Sequence, residues 1–154
     1  MLACTTAVQL RNAAILCTAA IIAFASAPAS ATVLIADDHG GPMGAYLQRY
    51  ASIRDSGERV IIDGQCLSAC TMVLAIVPSD KICLTPNATF GFHAAISSEE
   101  YRFPGASSAA TRALLALYPE KLRKLIVKKD GLSDKMVFLS AEELSHIYSQ
   151  CRSR

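Results

Sequence analysis

Apolar residues change their spacing repeatedly along the chain, and each change marks an element. "TVLIA" (32–36) is a continuous aliphatic run and predicts a strand. "DDHGG" (37–41) is a polar turn, and Pro42 suits the first turn of a helix. Met43, Tyr46, Leu47, Tyr50 and Ile53 then recur at three- and four-residue intervals, an amphipathic helix to about Asp55 that "SGE" stops. "RVIID" (59–63) returns to consecutive apolar positions, a strand buried on both faces that Gly64 should break. Ser68 to Val77 is almost wholly apolar or small and predicts a buried helix ended by Pro78. "KICL" (81–84) and "ATFGFHA" (88–94) predict two more strands around the turn "TPN" (85–87). Residues 107–128 are helical in period, with a break near Pro119, and "GLSDKM" (131–136) is a connection. "SAEELSHIY" (140–148) opens with Ser140 and Glu143 in capping-box spacing and predicts a last helix. The order β-α-β-α-β-β-α-α predicts an α/β layered fold with a largely parallel sheet and helices, a compact single domain.

The N-terminus follows another pattern. Its first 31 residues hold one charge, Arg11, then "NAAILCTAAIIAFASAPASA", which ends in the small-x-small triplet Ala29-Ser30-Ala31. That is the layout of a secretory signal peptide cut after Ala31. Residues 1–31 are thus expected to be a leader, and 32–154 the domain. The alternative is an uncleaved membrane anchor, but Thr18, Ser26 and Pro28 interrupt a run already short for a span. The mature protein is expected in the periplasm or secreted.

Export changes how the cysteines are read. Cleavage removes Cys4 and Cys17 and leaves Cys66, Cys70, Cys83 and Cys151. An even number in an exported chain favours disulfides. Four cysteines allow three pairings, among which sequence does not choose. The pairing carried forward is Cys66 with Cys70 and Cys83 with Cys151; a bridge from Cys66 or Cys70 to Cys83 is the alternative. Cys66, Cys70, Cys83 and His93 also form a formal zinc set, disfavoured because only the first pair has finger-like spacing. Charge adds little. Lys and Arg number 15 against 13 Asp and Glu, so neither nucleic acid nor an anionic membrane is an expected partner. "KLRKLIVKK" reads as a solvated helix face.

The candidate chemistry centres on Ser68. A serine at the first turn of a helix, after a strand, stands at the sheet edge where α/β folds keep their sites. It is also an ordinary helix cap, and the G-x-S-x-G elbow is absent. Gly40-Gly41, between a strand and a helix, lets backbone approach a substrate and aim N–H groups at it. His93 lies at the end of a predicted strand, as a general base would, or as a half-buried structural histidine.

Taken in order, these residues resemble the fold shared by the Clp protease proteolytic subunit and the crotonases. The Clp peptidase carries a Gly-Gly turn, a helix, and a strand running into Gly-Gln-Ala-Ala-Ser; this chain has Gly40-Gly41 and Gly64-Gln65-Cys66-Leu67-Ser68. Clp subunits continue with Leu-Pro-Asn and then the catalytic histidine; here Leu84-Thr85-Pro86-Asn87-Ala88 precedes His93. Their core ends Asp-x-Phe-Leu/Met-Ser-Ala-x-Glu-Ala, against "MVFLSAEEL" from Met136 to Leu144. The match runs from about residue 33 to 148. It is nearest to exported bacterial Clp-like proteins with a Cys-x-Ser-Ala-Cys motif.

The resemblance implies Ser68 as nucleophile and His93 as general base. It implies oxyanion donors at Gly41, with Gly40 beside it, and at Ala69. The chain departs at the acid, where Met136 stands. Asp134 is the nearest carboxylate and the expected substitute; Asp130 and Glu99 are others. The stretch from His93 to Met136 is short for the helix by which Clp rings stack, and an ATP-driven unfoldase is not expected outside the cytoplasm, so neither the stacked barrel nor ATP coupling is implied. A homo-oligomer stays open. The expected function is exported serine hydrolysis of a peptide or other acyl substrate, with no cofactor or metal. The rival is a non-catalytic binding or scaffold protein that has lost its acid. A crotonase-type acyl-CoA enzyme ranks third, because an exported chain does not meet CoA. Mass spectrometry of the protein from its native host should find the chain beginning at Thr32; an intact Met1 would refute cleavage and favour the anchor.

Overall fold

The structure, a computed structural model, describes residues 31–96 and 108–152. The expected leader lies outside the described residues except for Ala31, and so does Glu99.

One long strand organises the sheet. β1 (Thr32–Asp38) runs parallel along one edge of β2 (Arg59–Leu67), from Thr32 beside Arg59 to Asp38 beside Cys66. The Arg59 N–H begins the ladder by donating to the Ala31 carbonyl at 3.2 Å. The other edge of β2 is divided between two strands. β3 (Ile82–Leu84) borders Val60–Ile62, and β4 (Thr89–Phe92) borders Gln65–Leu67, both parallel. β5 (Val137–Ser140) closes antiparallel on β4, and the short β6 (Ser149–Gln150) runs parallel to β3. The sheet is mixed but largely parallel, as the element order predicts.

Gly64 does not break β2; it bends it. Ile35 pairs with Ile62 but Asp37 with Gln65, so two residues of β2 oppose one of β1. Gly64 sits in this bulge at φ 143°, and a Cβ there would lie 1.6 Å from the Ala36 carbonyl oxygen. Only glycine fits such an approach. Beyond the bulge β2 exchanges β3 for β4 and aims its last residue, Leu67, at the strand-to-helix turn.

Helices join and cover the strands. α1 (Met43–Ser56) is the crossover between parallel β1 and β2, stopped by Gly57 in the left-handed region, φ 71°. It buries Tyr50 and Ile53, while Leu47 is 41% exposed and Met43 borders a cleft, so its apolar stripe is narrower than its period suggests. The helix predicted over 68–77 is a 3₁₀ segment, Ser68–Met72, running into α2 (Val73–Ile76). α3 (Ser108–Leu117) and α4 (Glu120–Lys128) flank Pro119 as expected. α4 buries Leu122 and Ile126 and leaves Lys121, Lys124 and Lys128 exposed. No described helix is long and apolar enough to cross a membrane.

The helix expected over 140–148 is absent. Both capping-box bonds form, Ser140 N–H to Glu143 Oε2 at 2.8 Å and Glu143 N–H to Ser140 Oγ at 3.3 Å. The following turns then mix i−3 and i−4 bonds instead of propagating. Tyr148 explains why: its ring is buried and its hydroxyl donates to the Leu74 carbonyl at 2.6 Å, which draws the chain into the core and on to β6.

The four cysteines form two bridges, Cys66–Cys70 and Cys83–Cys151, with Cα atoms 5.2 and 4.9 Å apart. This is the pairing carried forward, and it removes the zinc set, since bonded sulfurs are not thiolate ligands. Two disulfides fit an oxidising, extracytoplasmic compartment. The bridges span 4 and 68 residues. Loop-closure entropy then assigns about 2 kcal/mol to the short one and about 4 to the long one, as upper values. In urea unfolding, replacing Cys83 and Cys151 together by alanine should therefore cost more stability than replacing Cys66 and Cys70. The reverse ranking would show that loop entropy is not their main contribution.

Candidate active site

The bulged end of β2 delivers Ser68 in an unusual conformation. Its φ is 57°, in the left-handed region where a side chain costs ~1 kcal/mol or more. Leu67 before it is extended, at φ −110° and ψ 152°. The chain therefore reverses at Ser68 itself, and the left-handed backbone stands its side chain out of the turn.

Several groups hold this turn. The Cys66–Cys70 bridge spans it. Buried Thr71 donates from Oγ1 to the Ser68 carbonyl at 2.6 Å. Tyr50, buried on α1, donates its hydroxyl to the Cys70 carbonyl at 3.0 Å. On the open side lies Gly40, at φ 83°, where a Cβ would come 2.6 Å from the Ser68 Cβ and 2.7 Å from the Leu67 carbonyl oxygen. Glycine is required there both by conformation and by space.

β4 brings His93 to the same place. Its Nε2 is 2.7 Å from Ser68 Oγ, and its Nδ1 is 2.7 Å from the Ala94 carbonyl oxygen. A carbonyl only accepts, so Nδ1 carries the proton. In the neutral ring Nε2 is then a lone pair facing the serine hydroxyl, which donates to it. Ser68, His93, Gly40, Gly41 and Ala69 together border a cleft of about 400 Å³. Its other walls include Met43, Met72 and Leu114.

The glycines divide their work. The Gly40 N–H donates to Asp38 Oδ1 at 2.9 Å, so it is already engaged. The Gly41 N–H has no acceptor among the described residues. Ala69 is the second residue of the 3₁₀ segment, where an N–H has no acceptor within the turn. The backbone thus leaves two N–H groups at the cleft, at Gly41 and Ala69.

Asp134 is not brought to His93. It is exposed and makes no hydrogen bond or ion pair among the described residues. What reaches the His93 region from that segment is backbone: the Ala94 N–H donates to the Ser133 carbonyl at 2.7 Å. Asp130 is likewise exposed. The register pairing Phe92 with Val137, carried one residue further, sets Met136 opposite His93. Met136 instead leans over Gly91, where a Cβ would meet its Sδ at 2.4 Å.

Two supporting residues escape the sequence reading, and each left a trace. Asp38 stands two residues before Gly40, the spacing of an Asx turn. It also accepts from Tyr46 Oη and from Arg49 Nη1, the latter at 3.1 Å. Partial burial alone would raise its carboxyl. The bonds from Tyr46, Gly40 and Arg49, with the Arg49 charge, outweigh that and hold it below the ordinary range. Burial first, then this pairing with Asp38, pushes the Tyr46 phenol up to about 12. Thr71 is the only hydroxyl after Ser68 in an otherwise apolar run, a sign that it has a buried partner.

Compared with known proteins, the chain matches no family model and no curated protein.

Asp38 generates a pH prediction. Its pKa is lower folded than unfolded, so its contribution to stability is complete above the unfolded carboxylate range near pH 4 and fades as pH falls through the lower folded value. Asp63 and Glu143 are depressed too, so the difference between two curves is the useful measurement. Asp38→Asn should lose stability near pH 7 and converge on wild type as pH falls through the lowered Asp38 value. A constant gap across that range would mean that the Asp38 charge does not brace the turn.

Proposed function

We propose that this protein is an exported serine hydrolase of the Clp/crotonase-like fold, acting on an acyl group through Ser68 and His93. The observation that carries the reading is the 2.7 Å approach of Ser68 Oγ to His93 Nε2, the nitrogen that bears no proton in the neutral ring because Nδ1 donates to the Ala94 carbonyl. A serine that merely capped a helix would point its oxygen at backbone N–H groups. This one is turned away from its helix and toward a base.

The steps follow from the geometry. Ser68 Oγ attacks the acyl carbon while His93 Nε2 takes its proton. The oxygen of the tetrahedral intermediate faces the N–H groups of Gly41 and Ala69, which neutral hydrogen bonds stabilise without reorganisation. His93 then hands the proton to the departing nitrogen or oxygen. Water repeats the sequence on the acyl-enzyme, and Ser68 is regenerated. The apolar walls at Met43, Met72 and Leu114 favour an aliphatic group on the acyl side.

The Ala94 carbonyl takes over part of the work of a triad acid. It fixes the ring's tautomer and orientation, and loss of the right tautomer underlies the ~10⁴-fold fall when a triad aspartate becomes asparagine. It does not offset the imidazolium charge as a carboxylate does, so turnover should be slow. The second reading, a binding or scaffold protein, rests on the same gap: Met136, one residue past the last ladder pair Phe92–Val137, stands where the resembling family keeps its acid.

Fluorophosphonate labelling and p-nitrophenyl butyrate hydrolysis by the full mature chain decide between them. Wild type should react with both, and Ser68→Ala with neither. Asp134→Asn should behave as wild type, since its side chain is exposed and unpartnered. Met136→Asp adds a carboxylate across the ladder from His93 and should raise kcat. A wild-type protein inert to both reagents hands the molecule to the scaffold reading.

A further inference from the structure

Behind the Ser68 turn, two buried hydroxyls form a chain that the proposed chemistry does not itself use. Thr71 Oγ1 lies 2.6 Å from the Ser68 carbonyl oxygen and 2.7 Å from Tyr118 Oη. Thr71 is 1% exposed and Tyr118 3%. The proton positions follow by elimination. The Ser68 carbonyl has no hydrogen, so Thr71 must donate to it, and a hydroxyl has one proton to give. Thr71 therefore accepts from Tyr118, and the bonds run one way, from Tyr118 to Thr71 to the Ser68 carbonyl. Bonds aligned in this manner polarise and strengthen one another.

The carbonyl at the end of the chain belongs to a planar trans peptide, whose other end is the Ala69 N–H. Fixing the oxygen fixes the direction of that N–H, which points the opposite way, and Ala69 is one of the residues bordering the cleft. Ser68 is left-handed, so this peptide unit is the one whose orientation the backbone alone holds least cheaply. Tyr118 also reaches the second arm of the site. Its ring meets Phe92 edge-on, with centroids 5.5 Å apart and planes at 81°, and Phe92 is the residue before His93.

We propose that Thr71 and Tyr118 are positioning residues that aim the Ala69 N–H at the oxyanion, with Tyr118 bracing both Ser68 and the strand of His93. This rests on the hydrolase reading above. An N–H aimed at a charge that exists only in the transition state affects kcat, not the binding of a neutral ester.

The test uses the full mature chain with p-nitrophenyl butyrate, a fluorophosphonate and the ¹H–¹⁵N resonance of Ala69. Thr71→Val should lower kcat at least ~10-fold, short of the ~10²–10³ for deleting an oxyanion donor outright. KM should stay unchanged and the Ala69 amide resonance should shift. Thr71→Ser keeps the hydroxyl and should restore both. Tyr118→Phe keeps the ring against Phe92, loses only the first bond, and should fall between. If Thr71→Val does not fold, Tyr118→Phe and Thr71→Ser carry the comparison. Wild-type rates in Tyr118→Phe and Thr71→Val would overturn the proposal and leave the hydrolase reading standing. A fall in rate with the Ala69 resonance unmoved would also overturn it, because the loss then came by another route. Wild type inert to both reagents would remove the hydrolase reading and this proposal together.

Discussion

The close approach of Gly40 to Ser68 is the contact on which the rest of the structure depends. Two turns from different strands meet there with less room than one methyl group needs. The Gly40 turn can come so near because glycine takes a positive φ and Asp38 ties its N–H back. The Ser68 turn can present its side chain there because β2 has been bent at Gly64 and handed from β3 to β4. Tyr50, Thr71 and the Cys66–Cys70 bridge then prevent a turn left-handed at a serine from relaxing. The strain is local, and the bonds that resist it come from α1, the 3₁₀ segment and β2.

Much of this was legible in the residues. Strand and helix periods located β1, α1, β3, β4 and the α3–α4 pair, since each spacing matches one geometry. Ser68, His93, Gly40, Gly41 and Ala69, which the resemblance implies as site residues, border one cleft. Where reading failed, a long-range interaction had overruled a local signal. The capping box at Ser140 and Glu143 formed its bonds, yet Tyr148 reached 74 residues back to Leu74 and stopped the helix. Gly64 looks like a stop until the second strand supplies a partner on its far side. Asp134 looked like a substitute acid because sequence counts residues and cannot count side-chain direction. The group that orients His93 is a backbone carbonyl, and no residue type announces it.

The site is economical in charge. His93 is turned by a neutral oxygen, the N–H groups of Gly41 and Ala69 are neutral amides, and Met43, Met72 and Leu114 line the cleft together with His39. The carboxylate that enters the Gly40 turn, Asp38, is spent on Gly40, Tyr46 and Arg49. Little therefore competes with the charge that would develop on an oxyanion and on His93, but nothing of opposite full charge assists it either. On the hydrolase reading preorganisation would carry the burden, and the buried hydroxyls behind the turn would matter alongside the groups lining the cleft.

The bond from the Arg59 N–H to the Ala31 carbonyl ties the start of β1 to the start of β2. The peptide between Ala31 and Thr32 therefore lends its oxygen to the sheet. A peptidase works on an extended, uncovered bond, so once β1 has paired, the sheet itself would shield this peptide from cutting.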